Sequence, residues 1–226
     1  MVTCVQTVNP GKVWLTMSDF PSLVATLMQS RQTILPKRLM APGPDASQLE
    51  MILAAAATAP DHGQLMPWRF VIVPVEARAL LAEQFASALL ARDAGALPEQ
   101  VEQAREKAFR SPLLMLAVVD GSRGDPDVDL LERMVSTGCA IQNMLLMATA
   151  MGYGSALTSG KALKAQGLRE LFALQAQDYA LCFISIGTVQ SRKAQRARPL
   201  PADYVTHLTG RHGVAAGGPF PEADTR

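Results

Sequence analysis

Between Ser18 and Ser30 the apolar residues Phe20, Leu23, Val24, Leu27 and Met28 recur at the spacing that lays one stripe along a helix. Ser18 stands where a hydroxyl can cap that helix, and Pro21 suits its opening turn. A second helical pattern has Leu49, Ile52, Leu53 and Ala56 as its inward face, with Asp45 and Gln48 at capping-box spacing and Pro60 as its stop. The period then changes. "WRFVIV" from Trp68 is a short β-branched and aromatic run of strand type. A helical stretch follows over Glu76–Arg92, and a charged helix over Glu99–Phe109 leads through Pro112 into "LLMLAVVD", which reads as a central strand. After the turn "GSRGDP" the pattern predicts a long helix over Asp127–Met151 and then a short strand and turn in "GYGSALTSG". A small helix over Leu168–Leu174 and a further buried strand in "YALCFISIGTV" complete the series. Helices that separate apolar strands predict a three-layer α/β or α+β domain.

Composition sharpens this picture modestly. The chain has 226 residues, 49% of them hydrophobic, which suits one globular domain with a sizeable core. The expected organisation is an N-terminal extension over 1–17, a domain over 18–208 and a loose tail over 209–226 rich in glycine and proline. The first residues lack the apolar core and cleavage site of a signal peptide, and Met17 is a candidate natural start. With 21 basic and 20 acidic residues the net charge is +1, which offers no broad footprint for nucleic acid or an anionic membrane. Cys4, Cys139 and Cys182 are odd in number and lack metal or disulfide spacing, so a reducing cytoplasm is expected. The most apolar stretch, Cys139–Gly152, is shorter than the roughly 20 residues of a membrane span. It reads as a buried helix whose amides Gln142 and Asn143 can face a partner helix.

Several familiar motifs fail on inspection. "GSALTSGK" has five residues between its glycines where a phosphate-binding P-loop has four, and Ala162 stands where a magnesium-binding hydroxyl is needed. "GYGSAL" has Leu157 in place of the third glycine of a dinucleotide fingerprint and follows a helix, not a strand. No GxSxG elbow occurs, His207 and His212 lie near the C-terminus, and His62 has no second histidine at metal-ligand spacing.

What remains is a dispersed set: "SRQT" at 30–33, "APDHGQLMPW" at 59–68, "GYGSALTSG" at 152–160 and the basic residues at 192–198. Each alone has a plain structural reading. Arg31 suits the negative end of a helix dipole, Pro60 ends a helix, and glycines turn the chain. In this order and separation, however, they resemble the nitroreductase-like family of FMN-dependent oxidoreductases, and within it the short YdjA-type members. The resemblance spans Ser18–Leu208, with "APDHGQLMPWRF" as its most specific stretch and "STGCAIQNMLLMATAMGYGSALTSG" in support.

That resemblance implies an α+β, three-layer α/β/α fold with a mixed central sheet. It also implies an intertwined homodimer with two FMN molecules in its interface, each touched by both subunits. Arg31, Gln32 and Thr33 then match the segment that binds the FMN phosphate, where a guanidinium fork suits phosphate oxygens, and Arg196 or Arg198 would complete the cradle. Thr58 and His62 match flavin-contacting positions, with Pro67 and a structural Trp68 returning the chain to the sheet. Leu157, Thr158 and Ser159 match the stretch along the isoalloxazine ring. No catalytic nucleophile and no metal are implied.

The sequence departs from the family pattern at three places. Met66 replaces a usual Gln before Pro-Trp, Gln32 and Thr33 replace Arg and Ser, and Leu157 and Thr158 replace the short relatives' Trp-Arg. The implied activity is ping-pong transfer of electrons from NADH or NADPH, through FMN, to a small acceptor such as a nitroaromatic or quinone. Two alternatives stay open: another FMN reaction on the same fold (dehydrogenation, dehalogenation or flavin fragmentation), and a non-catalytic ligand-binding or interaction module.

Overall fold

The computed structural model describes residues 16–194, 197–208 and 214–216. They fall into two compact units, one ending at Arg192 and one beginning at Lys193. In the first, helix α1 (Phe20–Ser30) has Pro21 in its opening turn, but its N-cap is Asp19 and not Ser18. The Asp19 carboxylate does not cap the helix. It turns back to accept from the Thr16 amide at 2.7 Å and the Thr16 hydroxyl at 2.8 Å, while the Ser18 hydroxyl pairs with that of Thr16. The apolar stripe is present on α1, yet none of its residues is buried within this chain.

Helix α2 (Ala46–Ala56) carries the capping box read from the sequence: Gln48 donates its amide N–H to Asp45 and accepts that of Asp45. Ile52 and Ala56 on its inner face are buried. Helix α3 (Arg78–Arg92) begins two residues later than expected, because Val75–Ala77 form a separate 3₁₀ turn. Helix α4 (Pro98–Glu106) packs on α3, and α5 (Leu130–Ala150) starts at an Asp129 cap that accepts from Leu131 and Glu132. Helix α6 (Gln166–Leu171) ends earlier than expected, and Ala173 beyond it takes a positive φ.

The strands are β1 (Leu39–Met40), β2 (Trp68–Ile72), β3 (Leu113–Asp120), β4 (Gly154–Thr158) and β5 (Asp178–Val189). β5 is the axis of the sheet, pairing with β1, β3 and β4, while β2 adds to β3. Leu113 stands opposite Ile186, Trp68 opposite Val119 and Leu157 opposite Ile184. All these pairings are antiparallel. The mixed character expected of the sheet is confined to one parallel bridge, between Thr33 and Ser155.

Side chains alternate across this sheet, as period two requires. Met115, Ala117, Cys182, Ile184 and Ile186 face α2 and α5, where they pack on Ile52, Ala140, Ile141 and Met144. Leu114, Leu116, Val118 and Phe183 face α3 and α6, where they meet Leu81, Ala82, Leu168 and Phe172. Both faces of the sheet are covered, giving the three layers. Trp68 is buried in the first of these cores, in the structural role expected of it.

In the second unit β6 (Thr206–Leu208) pairs antiparallel with β7 (Val214–Ala216). β7 lies within the stretch expected as a loose tail from residue 209, and the two compact units divide after Arg192. Among the described residues no helix is long and apolar enough to cross a membrane.

Candidate functional site

Where α1 ends, Arg31 leaves the helix in an extended conformation, with its amide still donating to Leu27. The chain then runs beside the start of β4. Thr33 forms the parallel bridge to Ser155, and the Ile34 amide donates to the Ser155 carbonyl at 2.9 Å. Ile34 is buried against Gly154, where a Cβ would collide with side chains of Val189, Leu39 and Ile34 itself. Glycine at 154 thus leaves room for side chains of β5, β1 and the 31–34 segment together. The junction brings the Arg31–Gln32–Thr33 segment alongside the strand that carries Leu157 and Thr158.

β4 changes character along its length. Gly154, Ser155 and Ala156 are buried, whereas Leu157, Thr158 and the following Ser159 are exposed. The Ser155 hydroxyl is buried with no hydrogen-bond partner among the described residues. An unsatisfied buried hydroxyl is unfavourable, so its position at this junction stands out.

A second grouping forms on α5. The Thr58 hydroxyl donates to the Ala55 carbonyl at 2.8 Å and accepts from the Asn143 side-chain amide at 2.9 Å. Its one proton is committed, which leaves only acceptor capacity toward a ligand. Asn143, expected to face a partner helix, donates to this loop within its own chain, and Gln142 beside it is exposed.

Beyond Thr58 the backbone is tightly wound, with φ of +66° at Gly63, +54° at Gln64 and +50° at Met66. Two non-glycine residues in the left-handed region within one loop must be held by their surroundings. The Asp61 carboxylate accepts the Met66 amide at 2.6 Å, and Leu65 is buried. His62 projects from this loop, its Nδ1 2.7 Å from a carboxylate oxygen of Glu132 in the first turn of α5. The Glu132 hydrogen bond and then its charge raise the imidazole pKa above 6.5, and Asp125 and Asp61 add to the effect. Both groups are well exposed, so solvent screens the pair.

Sequence reasoning did not single out Glu132 or Ser155, and it gave Asn143 a different partner from Thr58. The signal for Glu132 was its position three residues after the Asp129 cap, at a helix end that must border some loop. Of the remaining expected residues, Arg198 is exposed and belongs to the second unit, and Arg196 lies outside the described residues.

Residues 29–188 match the model of the Nitroreductase family. A Haemophilus influenzae protein provisionally named NAD(P)H nitroreductase is 34% identical over 187 residues, covering 81% of this chain and 98% of its own. Escherichia coli YdjA, provisionally named in the same way, is 33% identical over 174 residues, covering 76% of this chain and 92% of its own. Among solved structures, a nitroreductase-like protein from Bacillus cereus has a TM-score of 0.66 at 16% identity, covering 88% of this chain and 99% of its own. The NADPH:FMN oxidoreductase of Vibrio harveyi has a TM-score of 0.63 at 20% identity, covering 84% of this chain and 78% of its own. The family match takes in α2 to α6, both faces of the sheet, the Arg31 junction and the His62 loop, and the chain belongs to the nitroreductase family.

Proposed function

We propose that this protein is an FMN-dependent oxidoreductase that passes electrons from NADH or NADPH to a small acceptor such as a nitroaromatic or quinone. The observation that carries the reading is the Thr33–Ser155 junction. It joins a guanidinium, an amide and a hydroxyl, at residues 31–33, to a strand end that is exposed and polar. The buried Ser155 hydroxyl at the same junction has unused hydrogen-bonding capacity. Such a donor set suits a phosphate and the polar edge of a heterocycle, so the residues present fit FMN.

Bound FMN would supply the two-electron chemistry. Arg31 would bind the phosphate with a charge-assisted fork, with Gln32 and Thr33 beside it. Leu157, Thr158 and Ser159 line the ring. Thr58, its proton committed to Ala55, orients the ring only by accepting. His62 carries a proton at Nδ1 against Glu132, which leaves Nε2 as the ring atom for a ligand, and its positive form favours developing negative charge nearby.

We further propose a homodimer in a reducing cytoplasm. Phe20, Leu23, Val24 and Met28 on α1 are exposed, and so are Leu131, Val135, Gly138 and Gln142 along α5. An exposed apolar stripe on α1 and exposed Leu131 and Val135 on the contacting α5 support an interface. The visible absorption spectrum of the purified protein tests the cofactor reading. A flavin spectrum whose chromophore is released on denaturation is expected, with NAD(P)H oxidation that depends on an added quinone. A protein that stays colourless after incubation with FMN overturns it.

A further inference from the structure

Arg133 on α5 is 1% exposed, and its guanidinium meets no carboxylate among the described residues. It donates instead to three backbone carbonyls of the preceding loop: Nε to Val128 at 2.9 Å, and the two terminal nitrogens to Arg123 and Asp125 at 2.5 Å each. One rigid fork thereby fixes the path of residues 123–128, which a lysine cannot do from a single nitrogen. Within that path Gly124 has a φ of +71°, and a Cβ on it would fall onto Cδ2 of Leu65. The bare Cα of Gly124 is the seat for the Leu65 side chain.

Leu65 is the one buried residue in the segment Asp61–Met66, with left-handed backbone at Gly63, Gln64 and Met66 around it. His62 stands three residues before it, paired with Glu132, the neighbour of Arg133 on the helix. We infer that Arg133 and Gly124 are positioning residues for His62: the guanidinium sets the 123–128 loop, the loop seats Leu65, and Leu65 fixes the loop that presents the imidazole to Glu132. The relevance of this buttress to the cofactor rests on the proposed function. The mechanical claim does not.

The charged groups facing His62 are Glu132 from α5, Asp125 from the buttressing loop and Asp61 from its own loop. Displacing the loop separates the imidazole from the first two. The NMR titration midpoint of His62, assigned with a His62→Ala reference, therefore reads position in a way that stability alone does not.

The test compares Gly124→Ala, Arg133→Lys and Leu65→Ala with Gly95→Ala, whose new Cβ would meet nothing closer than 3.6 Å. The first three are expected to lower the His62 midpoint toward the ordinary imidazole value of about 6.5. They are also expected to weaken FMN by roughly 3- to 10-fold, as for one misplaced hydrogen bond. Gly95→Ala moves neither. Leu65→Ala leaves the 121–129 backbone intact, so the test survives if Gly124→Ala or Arg133→Lys fails to fold. A wild-type midpoint retained in the folded variants overturns the inference. Shifted midpoints in a protein that binds no FMN uphold the buttress and overturn the cofactor reading instead.

Discussion

Arg31 stands where helical backbone gives way to extended chain, and its value to a phosphate can be put on a scale. A hydrogen bond to a charged group contributes about 1.5 to 3 kcal/mol, or roughly 10- to 150-fold in affinity. Arg31→Ala should weaken FMN by that factor and riboflavin, which lacks the phosphate, far less, as read by flavin fluorescence titration; equal losses would move the phosphate site elsewhere. At Ser155 the expectation has the opposite sign for the ligand-free protein. Removing a buried hydroxyl that has no partner relieves an unfavourable burial, so Ser155→Ala should leave the melting temperature of the apoprotein unchanged or raised, while FMN binds more weakly. A clear loss of apoprotein stability would show that the hydroxyl is already satisfied. The His62–Glu132 pair adds a pH signature. Because the folded imidazole pKa is raised, the stabilisation is fully present below 6.5 and is lost as pH rises through the folded midpoint. The small excess in melting temperature of wild type over Glu132→Gln should therefore shrink across neutrality; an excess that grows with pH contradicts the assignment. At this scale the loop was legible as a segment, since "APDHGQLMPW" contains His62 and directly follows Thr58. Their partners were not legible, because Glu132 and Asn143 lie 70 and 85 residues further along the chain. Only the packing of α5 beside the loop brings them there.

Helices were more legible than the contacts they make. A period of 3.6 located α2, α3 and α5 to within a few residues, and the Asp45–Gln48 box was readable because its bonds are local. The start of α5 was less so. Asp125, Asp127 and Asp129 are all plausible caps by residue type. The Asp125 carboxylate folds onto the Asp127 amide at 2.9 Å, which leaves Asp129 as the residue that caps Leu131 and Glu132. Asp129→Ala should cost about 0.5 to 2 kcal/mol, seen as a lowered midpoint of denaturant unfolding. Asp127→Ala should cost less, and the reverse order would mean that the helix frays back to Asp127 in solution. The two-residue β1 was invisible because it is too short for any period. Strand direction was invisible for a different reason: a strand covered on both faces reads as a continuous apolar run whichever way its neighbour points. For α1 the period was right, and the stripe it marks finds no cover among the described residues of its own chain.

For the molecule as a whole, the uncovered stripes on α1 and α5 make association the quantity to measure. Val135 is 65% exposed on α5, so Val135→Glu places a charge outside the core of one chain but inside the proposed interface. Sedimentation velocity should show a dimer for wild type and a shift toward monomer for the variant, with the secondary structure retained. A wild-type monomer that holds FMN stoichiometrically would end the shared-site reading. The position of β5 reaches further than architecture, into the order of biosynthesis. The chain emerges from its N-terminus, so β1, β3 and β4 are all made before the strand they pair with. Until Asp178–Val189 leaves the ribosome, β2 on β3 is the one strand pairing of the main sheet that can form, and the apolar edges of β3 and β4 are left open. Nascent chains stalled before β5 thus expose unpaired strand edges, and the sheet closes only after its last strand is made.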